Sequence, residues 1–132
     1  MKLRIVITLI LLNILIPIKS YAEILSDAKF ESISIDKGLS NEYVTSIFQD
    51  SKGYMWIGTK DGLNRYDGQN IKIYNCKSED KNTLSSTYIT DIEEDTYGNL
   101  WIATDYGLDF LVVDTDSIVR MKDLENDKYN LG

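Results

Sequence analysis

The chain has 132 residues, of which 14 are basic and 21 acidic, giving a formal net charge of −7, with no histidine and one cysteine. The missing histidine excludes a Ser-His-Asp triad, a Cys-His dyad, His-ligated zinc and a phospho-accepting histidine within these residues. An internal disulfide is excluded because Cys76 has no second cysteine to pair with, and we expect a buried, unreactive thiol in a strand. Nucleic acid is not an expected partner, since no basic stripe is available to neutralise phosphates.

The first 22 residues have the layout of a secretory signal peptide. Met1-Lys-Leu-Arg4 is followed by fourteen uncharged residues, Ile5 to Ile18, and Ala22 ends a small-residue cleavage site. The uncharged stretch is shorter than the about 20 residues that cross a membrane comfortably, so an uncleaved anchor is the less favoured alternative. Cleavage after Ala22 removes three basic residues and leaves 11 basic and 21 acidic ones, a net charge of −10. We therefore predict an exported acidic protein whose charge serves solubility.

The next segment, residues 23–38, contains one predicted strand. Phe30 to Ile35 alternates apolar and polar residues, as a strand does, and Asp36-Lys-Gly38 ends it. This strand precedes the repeats described next and has no partner of its own.

An internal repeat of 45 residues organises the rest of the chain. Residues 39–66 align with residues 84–111 and share 12 identities in 28 positions. Each unit contains four predicted strands joined by turns rich in Asp and Gly. The predicted strands are Tyr43 to Gln49, Tyr54 to Thr59, Leu63 to Tyr66 and Ile71 to Tyr74 in the first unit, and Tyr88 to Glu93, Asn99 to Thr104, Leu108 to Val113 and Ile118 to Met121 in the second.

Units of this size with four antiparallel strands are typical of β-propeller blades, which bury both faces against their neighbours. The predicted fold class is thus all-β, with four-stranded antiparallel meanders: blade 1 at residues 39–83 and blade 2 at residues 84–130. Residues 131–132 are expected to start a third repeat. Trp56 and Trp101 are predicted to fill the space between blades, and Gly58 and Ala103 to lie where a larger side chain would collide with the next sheet.

Two blades and one strand cannot close a ring, because closed propellers have about 4 to 8 blades. We therefore expect the leading fragment of a longer reading frame, with an incomplete ring and poorly cooperative thermal unfolding. The strand Phe30 to Ile35 is expected to complete the last blade of the ring.

No catalytic, metal or cofactor residue is predicted, and the ligand-binding residues stay undetermined. The acidic turn residues Asp50, Asp95, Asp114 and Asp116 lack the spacing of a calcium loop, so turn chemistry is the favoured interpretation. Glu93 and Glu94 resemble a pair of glycosidase carboxylates, but adjacent strand residues face opposite sides of a sheet. Tyrosines near turns are candidate stacking platforms for sugars, although blade packing is the commoner role: Tyr54, Tyr66, Tyr97 and Tyr106.

Residues 50–68 resemble the two-component regulator propeller repeat, whose pattern is Asp-x-x-Gly-x-x-Trp-x-Gly-Thr, then Gly-Leu, then Arg-Tyr-Asp-Gly. The first unit matches every position. The second keeps Asp95, Gly98, Trp101, Thr104, Gly107 and Leu108, but has Ala103, Phe110 and Leu111 in place of Gly, Arg and Tyr. The resemblance implies structural positions of a blade and carries over no binding residue.

The same resemblance implies a non-enzymatic, extracytoplasmic, ligand-sensing segment of a membrane-bound signal-transduction receptor, at the periplasmic or extracellular face of the cell membrane. A histidine kinase or diguanylate cyclase module would lie downstream, with a membrane span between. Carbohydrate is a candidate ligand, no cofactor is implied, and a dimer of the full-length protein is left open. The alternatives are a fragment of an exported propeller enzyme acting on polysaccharide, and an adhesion or scaffold propeller.

Overall fold

The computed structural model describes residues 30–124, which form a short 3-10 helix, Ile35–Lys37, two four-stranded antiparallel sheets, and a helical segment at residues 121–124. The predicted signal peptide and the predicted start of a third repeat lie outside the described residues. The first sheet contains β1 (Val44–Gln49), β2 (Met55–Thr59), β3 (Gly62–Tyr66) and β4 (Ile71–Tyr74). The second contains β5 (Ile89–Glu94), β6 (Leu100–Thr104), β7 (Gly107–Val112) and β8 (Ser117–Arg120).

Each sheet is a simple meander in which sequential strands are neighbours, in the order β1-β2-β3-β4 and β5-β6-β7-β8. The all-β fold class with four-stranded blades is therefore confirmed. The two sheets also share an irregularity of strand pairing at the same repeat position. β1 shifts register against β2 between Val44 and Ser46, and β5 shifts register against β6 between Ile89 and Asp91. We call the two sheets blade 1 and blade 2.

The turns between strands follow the predicted chemistry. The first hairpin of each blade reverses at a glycine with positive φ, 89° at Gly53 and 82° at Gly98. An L-residue with a side chain rarely adopts this conformation, so the glycine of the repeat motif is required by the backbone.

The core lies between the blades, where β5 packs against β1 and β2. Trp56 is fully buried and its ring centroid lies 5.7 Å from that of Tyr74. Apolar residues from both blades complete this core: Leu63, Leu84, Ile89, Ile92, Leu100, Ile102, Leu111, Val113 and Ile118. The contact between the blades explains the apolar residues on the facing side of each sheet.

The prediction of a strand from Phe30 to Ile35 is wrong for the described residues. Residues 30–34 have no regular secondary structure, and the 3-10 helix starts at Ile35. The carbonyl of Ser34 accepts hydrogen bonds from the N–H groups of Lys37 at 3.0 Å and Leu39 at 3.1 Å, which is the bonding of a tight turn and not of a strand. Its proposed role in closing a ring stays a prediction.

Trp101 is half-buried among the described residues and lies on the face of blade 2 that points away from blade 1, so its predicted place between blades stays a prediction.

Two further predictions need correction. Cys76 is half-buried in the connection after β4 rather than in a strand, and its thiol donates to the Ser85 carbonyl at 3.5 Å. β8 ends at Arg120 rather than at residue 121, and residues 121–124 are helical.

Candidate functional site

The aspartate of the repeat motif organises the first hairpin of blade 1. Asp50 Oδ1 accepts hydrogen bonds from the backbone N–H groups of Lys52 at 3.0 Å and Tyr54 at 2.9 Å. Its other oxygen accepts from the indole Nε1 of Trp56 at 2.8 Å. Both oxygens of Asp50 thus accept hydrogen bonds, one from the turn and one from the core tryptophan.

Asp95 makes the equivalent turn in blade 2. Its Oδ1 accepts from the N–H groups of Tyr97 at 2.8 Å and Asn99 at 2.9 Å. These backbone hydrogen bonds, that from Asn99 first, lower the pKa of Asp95, so the carboxylate is ionised in the folded state. The predicted turn chemistry of both aspartates is confirmed.

A second repeated network ties the serine that follows Leu39 or Leu84 to the end of the second strand of its blade. Ser40 Oγ lies 2.8 Å from Thr59 Oγ1, and Ser85 Oγ lies 3.0 Å from Thr104 Oγ1. In each blade the threonine hydroxyl donates to a glycine carbonyl, of Gly62 or Gly107, at 2.9 Å. These motif residues therefore hold the strands of each blade together.

The other acidic residues are not gathered into a metal centre. Within residues 30–124 no group of three or more metal-ligating side chains is present. Lys52 donates to Asp114 at 2.5 Å across the blade boundary. Glu94 accepts from the backbone N–H of Ser51 at 2.9 Å, while Glu93 is exposed. These two glutamates do not converge on a common substrate position.

Asp116 also serves the contact between blades. It is the one non-glycine residue with positive φ in the described part of the chain, at 58°, and it pairs with Lys72 and accepts from the Tyr74 hydroxyl at 2.6 Å. Burial raises the pKa of Asp116, but these two hydrogen bonds outweigh burial and lower it overall. Burial, assisted by Asp116, raises the pKa of Tyr74, which therefore stays a neutral donor.

The four tyrosines considered as sugar platforms do not form one surface. Tyr54 is half-buried under the guanidinium of Arg65, 4.9 Å from its ring centroid, and the Tyr66 hydroxyl donates to Gly68 at 2.7 Å. Tyr97 is 88% exposed in the turn between β5 and β6. Tyr106 lies in the turn between β6 and β7, at the opposite end of the blade, where Lys122 Nζ covers its ring at 3.7 Å.

A different aromatic group does come together at one end of the blades. Tyr43 and Tyr88 precede β1 and β5 at the same repeat position, and Lys60 of the β2–β3 turn lies beside both rings, 4.5 Å and 6.0 Å from their centroids. Tyr43 is 59% exposed. We call Tyr43, Lys60 and Tyr88 the strand-entry cluster. It combines apolar ring surface with a cation, the chemistry of a small-ligand contact surface.

The blade geometry places the strand-entry cluster near the inner edge of the two sheets. The close contacts between blades run from β5 to β1 and β2, so the sheets approach each other most closely at their first strands. In a propeller the edge where blades converge surrounds the central channel. Sequence reasoning missed this cluster because Tyr43 and Tyr88 were assigned to strands. The tyrosine that recurs at the same position of both repeats was the available signal for a shared role.

No helix in residues 30–124 is long and apolar enough to cross a membrane. The described fold is defined instead by two repeated four-stranded antiparallel sheets that pack face to face and share the same turn and hydroxyl networks. This is the arrangement of adjacent blades in a β-propeller.

Comparison with known proteins places these blades in a family. The model of the two-component regulator propeller matches residues 38–61 and 83–106. The chain thus contains two repeats of the two-component regulator propeller family.

One curated relative and two solved structures show where such repeats occur. A histidine kinase of Formosa agariphila is 42% identical over 59 residues, which are 45% of this chain and 4% of that protein. The extracellular domain of a protein described as a hybrid two-component system of B. thetaiotaomicron is 32% identical, with a TM-score of 0.62, over 68% of this chain and 13% of that domain. Another extracellular domain of that organism, from a described one-component system, is 28% identical with a TM-score of 0.54 over 70% of this chain and 14% of that domain. The chain therefore spans a small part of each protein that it resembles.

Proposed function

We propose that the chain is an exported, non-catalytic propeller segment of a signal-transduction receptor that senses an extracytoplasmic ligand. The observation that carries the proposal is the tandem of packed repeats with 32% identity to an extracellular domain of a hybrid two-component system. The apolar, basic-capped N-terminus supports export. Signalling itself requires an output module, which is expected in the full-length receptor.

Within the described residues, the strand-entry cluster is the surface that fits ligand contact best. Tyr43 offers exposed ring area, and the Lys60 ammonium can donate to a hydroxyl or carboxylate while remaining over the rings. Sugars present both apolar C–H faces and hydroxyl groups, so an oligosaccharide is the ligand class to test first.

Binding is tested with a panel of neutral and acidic oligosaccharides against the full-length receptor. We expect Tyr43→Ala to weaken the affinity for any oligosaccharide that binds, because the exposed ring is lost. Tyr97→Ala is the matched control, since Tyr97 is also an exposed tyrosine but lies in the turn between β5 and β6. Unchanged affinity in Tyr43→Ala, or an equal loss in Tyr97→Ala, would contradict the role of the cluster.

Export is tested separately with reporters fused after residue 132. Alkaline phosphatase is expected to be active and β-galactosidase inactive, because each enzyme works on only one side of the membrane. Inactive alkaline phosphatase with active β-galactosidase would refute an extracytoplasmic location. That result would not bear on whether the strand-entry cluster binds oligosaccharide, which the binding experiment tests.

A further inference from the structure

The turn between β2 and β3 holds the strand-entry cluster together. The Lys60 N–H in this turn donates to the Tyr43 carbonyl at 3.2 Å. The Gly62 N–H at the end of the same turn donates to the carbonyl of Thr87, the residue before Tyr88, at 2.7 Å. One short turn of blade 1 is therefore hydrogen-bonded to the backbone beside both rings, across the boundary between the blades. A surface fixed in this way loses little conformational entropy when a ligand binds.

The same turn also packs against the end of β4. Gly62 has a φ of 118°, and a Cβ added there would lie 2.8 Å from the Tyr74 carbonyl oxygen. Glycine is required at this position both by the backbone conformation and by the lack of space for a side chain. This close packing limits the positions that the turn can adopt, and it thereby fixes the place of Lys60.

The turn does not need a lysine side chain. In blade 2 the residue at the repeat position of Lys60 is Asp105, and its N–H donates to the Tyr88 carbonyl at 3.1 Å. The two turns thus make the same backbone contact, with a basic residue in one blade and an acidic residue in the other. Since the turn uses only the backbone N–H at this position, the ammonium of Lys60 is available for a ligand.

The Lys60 ammonium has no anionic partner within residues 30–124. Two other lysines of blade 1 do form ion pairs at the opposite end of the sheets, Lys52 with Asp114 and Lys72 with Asp116. Lys60 is exposed and contacts aromatic rings instead. An ammonium has three N–H donors, and its hydrogen bonds are strongest when the acceptor is itself charged. The ammonium of Lys60 is therefore suited to an anionic group of a ligand.

We infer that the strand-entry cluster binds an acidic oligosaccharide. Lys60 pairs with a carboxylate or sulfate group of the ligand, and the rings of Tyr43 and Tyr88 contact the C–H faces of its sugars. The inference rests on the proposed function and deepens it, because it selects acidic sugars among the oligosaccharides to be tested. Neutral sugars lack the group that pairs with the ammonium, so we expect them to bind more weakly.

Carboxylates near the cluster decide how an acidic ligand is recognised. Asp61 follows Lys60 in the same turn, Asp105 lies in the corresponding turn of blade 2, and both are exposed. With these residues and a net charge of −7, long-range attraction does not favour an anion. Recognition then comes from direct pairing with Lys60. We therefore expect the affinity to depend on the residue at position 60 and on one acidic group of the ligand, rather than on the total charge of the ligand.

The inference is tested by titration calorimetry of the full-length receptor, in which each acidic oligosaccharide is compared with its uncharged form. The probes are oligosaccharides of galacturonic acid and of glucuronic acid with their methyl esters, and a sulfated galactose oligosaccharide with its desulfated form. An acidic form is expected to bind about tenfold more tightly than its uncharged form, or better, because it gains a charge-assisted hydrogen bond. Added salt should weaken the binding of the acidic form only.

Substitutions in the turn assign this difference to the cluster. Lys60→Gln and Lys60→Asp should each lower the affinity for the acidic form about tenfold or more, and leave the affinity for the uncharged form within about threefold. The turn accepts the second substitution, because Asp105 occupies the same position in blade 2. Asp61→Asn is the matched control, and it should raise the affinity for the acidic form about twofold because a repelling charge is removed.

Two outcomes separate the selectivity for acidic sugars from the proposed function. Equal affinity for the acidic and uncharged forms, or unchanged affinity of Lys60→Gln for the acidic form, would overturn the inference and leave the proposed sensing of oligosaccharides standing. If no oligosaccharide binds, acidic or neutral, the oligosaccharide ligand of the proposed function is refuted together with this inference.

Discussion

Asp109 carries a carboxyl group at a repeat position where blade 1 has the side-chain amide of Asn64. It is fully buried in blade 2 at the repeat position of Asn64. Asn64 Nδ2 donates to the Ser40 hydroxyl at 2.8 Å and to the carbonyl of its cross-strand neighbour Ile57 at 3.0 Å. Asp109 Oδ2 accepts from the Ser85 N–H at 2.7 Å, but its Oδ1 is buried without a hydrogen-bond partner. A neutral carboxylic acid would supply the donor that the site requires.

Burial raises the pKa of Asp109, and the opposing effects of Ser85 and of the positive charges of Arg120 and Lys122 are smaller. Between the unfolded pKa of about 3.9 and the higher folded pKa, the folded chain binds more protons than the unfolded chain. Stability from this group is therefore fully present below the unfolded pKa and is lost as the pH rises through the folded pKa, at up to about 1.4 kcal/mol per pH unit.

Asp109→Asn should remove this loss, because its amide can donate as that of Asn64 does. At pH 7 we expect a stabilisation of about 1–3 kcal/mol, the cost of leaving a buried polar group unsatisfied. The gain should shrink as the pH falls towards 4, where the parent carboxyl is protonated. Asn64→Asp is the matched control in blade 1 and should create a new loss of stability with rising pH.

The measurement is the urea midpoint from tryptophan fluorescence at a series of pH values, together with an NMR titration of the Asp109 carboxyl carbon. The reasoning is refuted if Asp109→Asn has a lower midpoint than the parent at pH 7, or if Asp109 titrates at the pKa of an exposed aspartate.

Two further substitutions test the core. Gly58→Ala should destabilise the chain by about 1–3 kcal/mol, because its Cβ would overlap the Ser46 hydroxyl oxygen and lie 2.7 Å from Ile89 Cγ2. Gly68→Ala, with φ 97° and open space around it, should cost only the backbone strain of about 1–2 kcal/mol. Equal stability of Gly58→Ala and the parent in urea would contradict the packing argument. Trp56→Phe should cost at least about 1 kcal/mol, since the hydrogen bond to Asp50 is lost with the indole N–H, and an unchanged urea midpoint would show that this bond contributes nothing.

The sequence predicted the blades well because each blade is specified locally. The hairpin at Asp50 to Gly53 carries its own carboxylate acceptor and its own glycine at positive φ, so a short stretch of sequence decides the turn. Gly58 was also interpretable, since a glycine inside a strand indicates a close neighbour. Periodicity then placed the same features in the second repeat.

The parts that the sequence did not predict depend on distant neighbours. Phe30 to Ile35 has the alternation of a strand, yet alternation does not supply the partner that a strand needs. Trp101 occupies the position of Trp56, but among residues 30–124 no blade lies against its face as blade 2 lies against that of Trp56. The strand-entry cluster and the missing donor at Asp109 arise from contacts between elements, which a linear pattern does not contain.

Arg120 has a consequence for how the connection between the blades can vary in sequence. Its buried guanidinium donates to the carbonyls of Lys77, Asp80 and Thr83 at 2.7–2.9 Å, and also to the Thr83 hydroxyl. Arg120 thus recognises the path of the backbone and, apart from Thr83, none of the side chains along it. We therefore expect this connection to tolerate substitution at most positions other than Thr83 and Asn82, whose side-chain oxygen accepts from the Ile118 N–H at 2.7 Å, provided that the backbone path and Arg120 are retained.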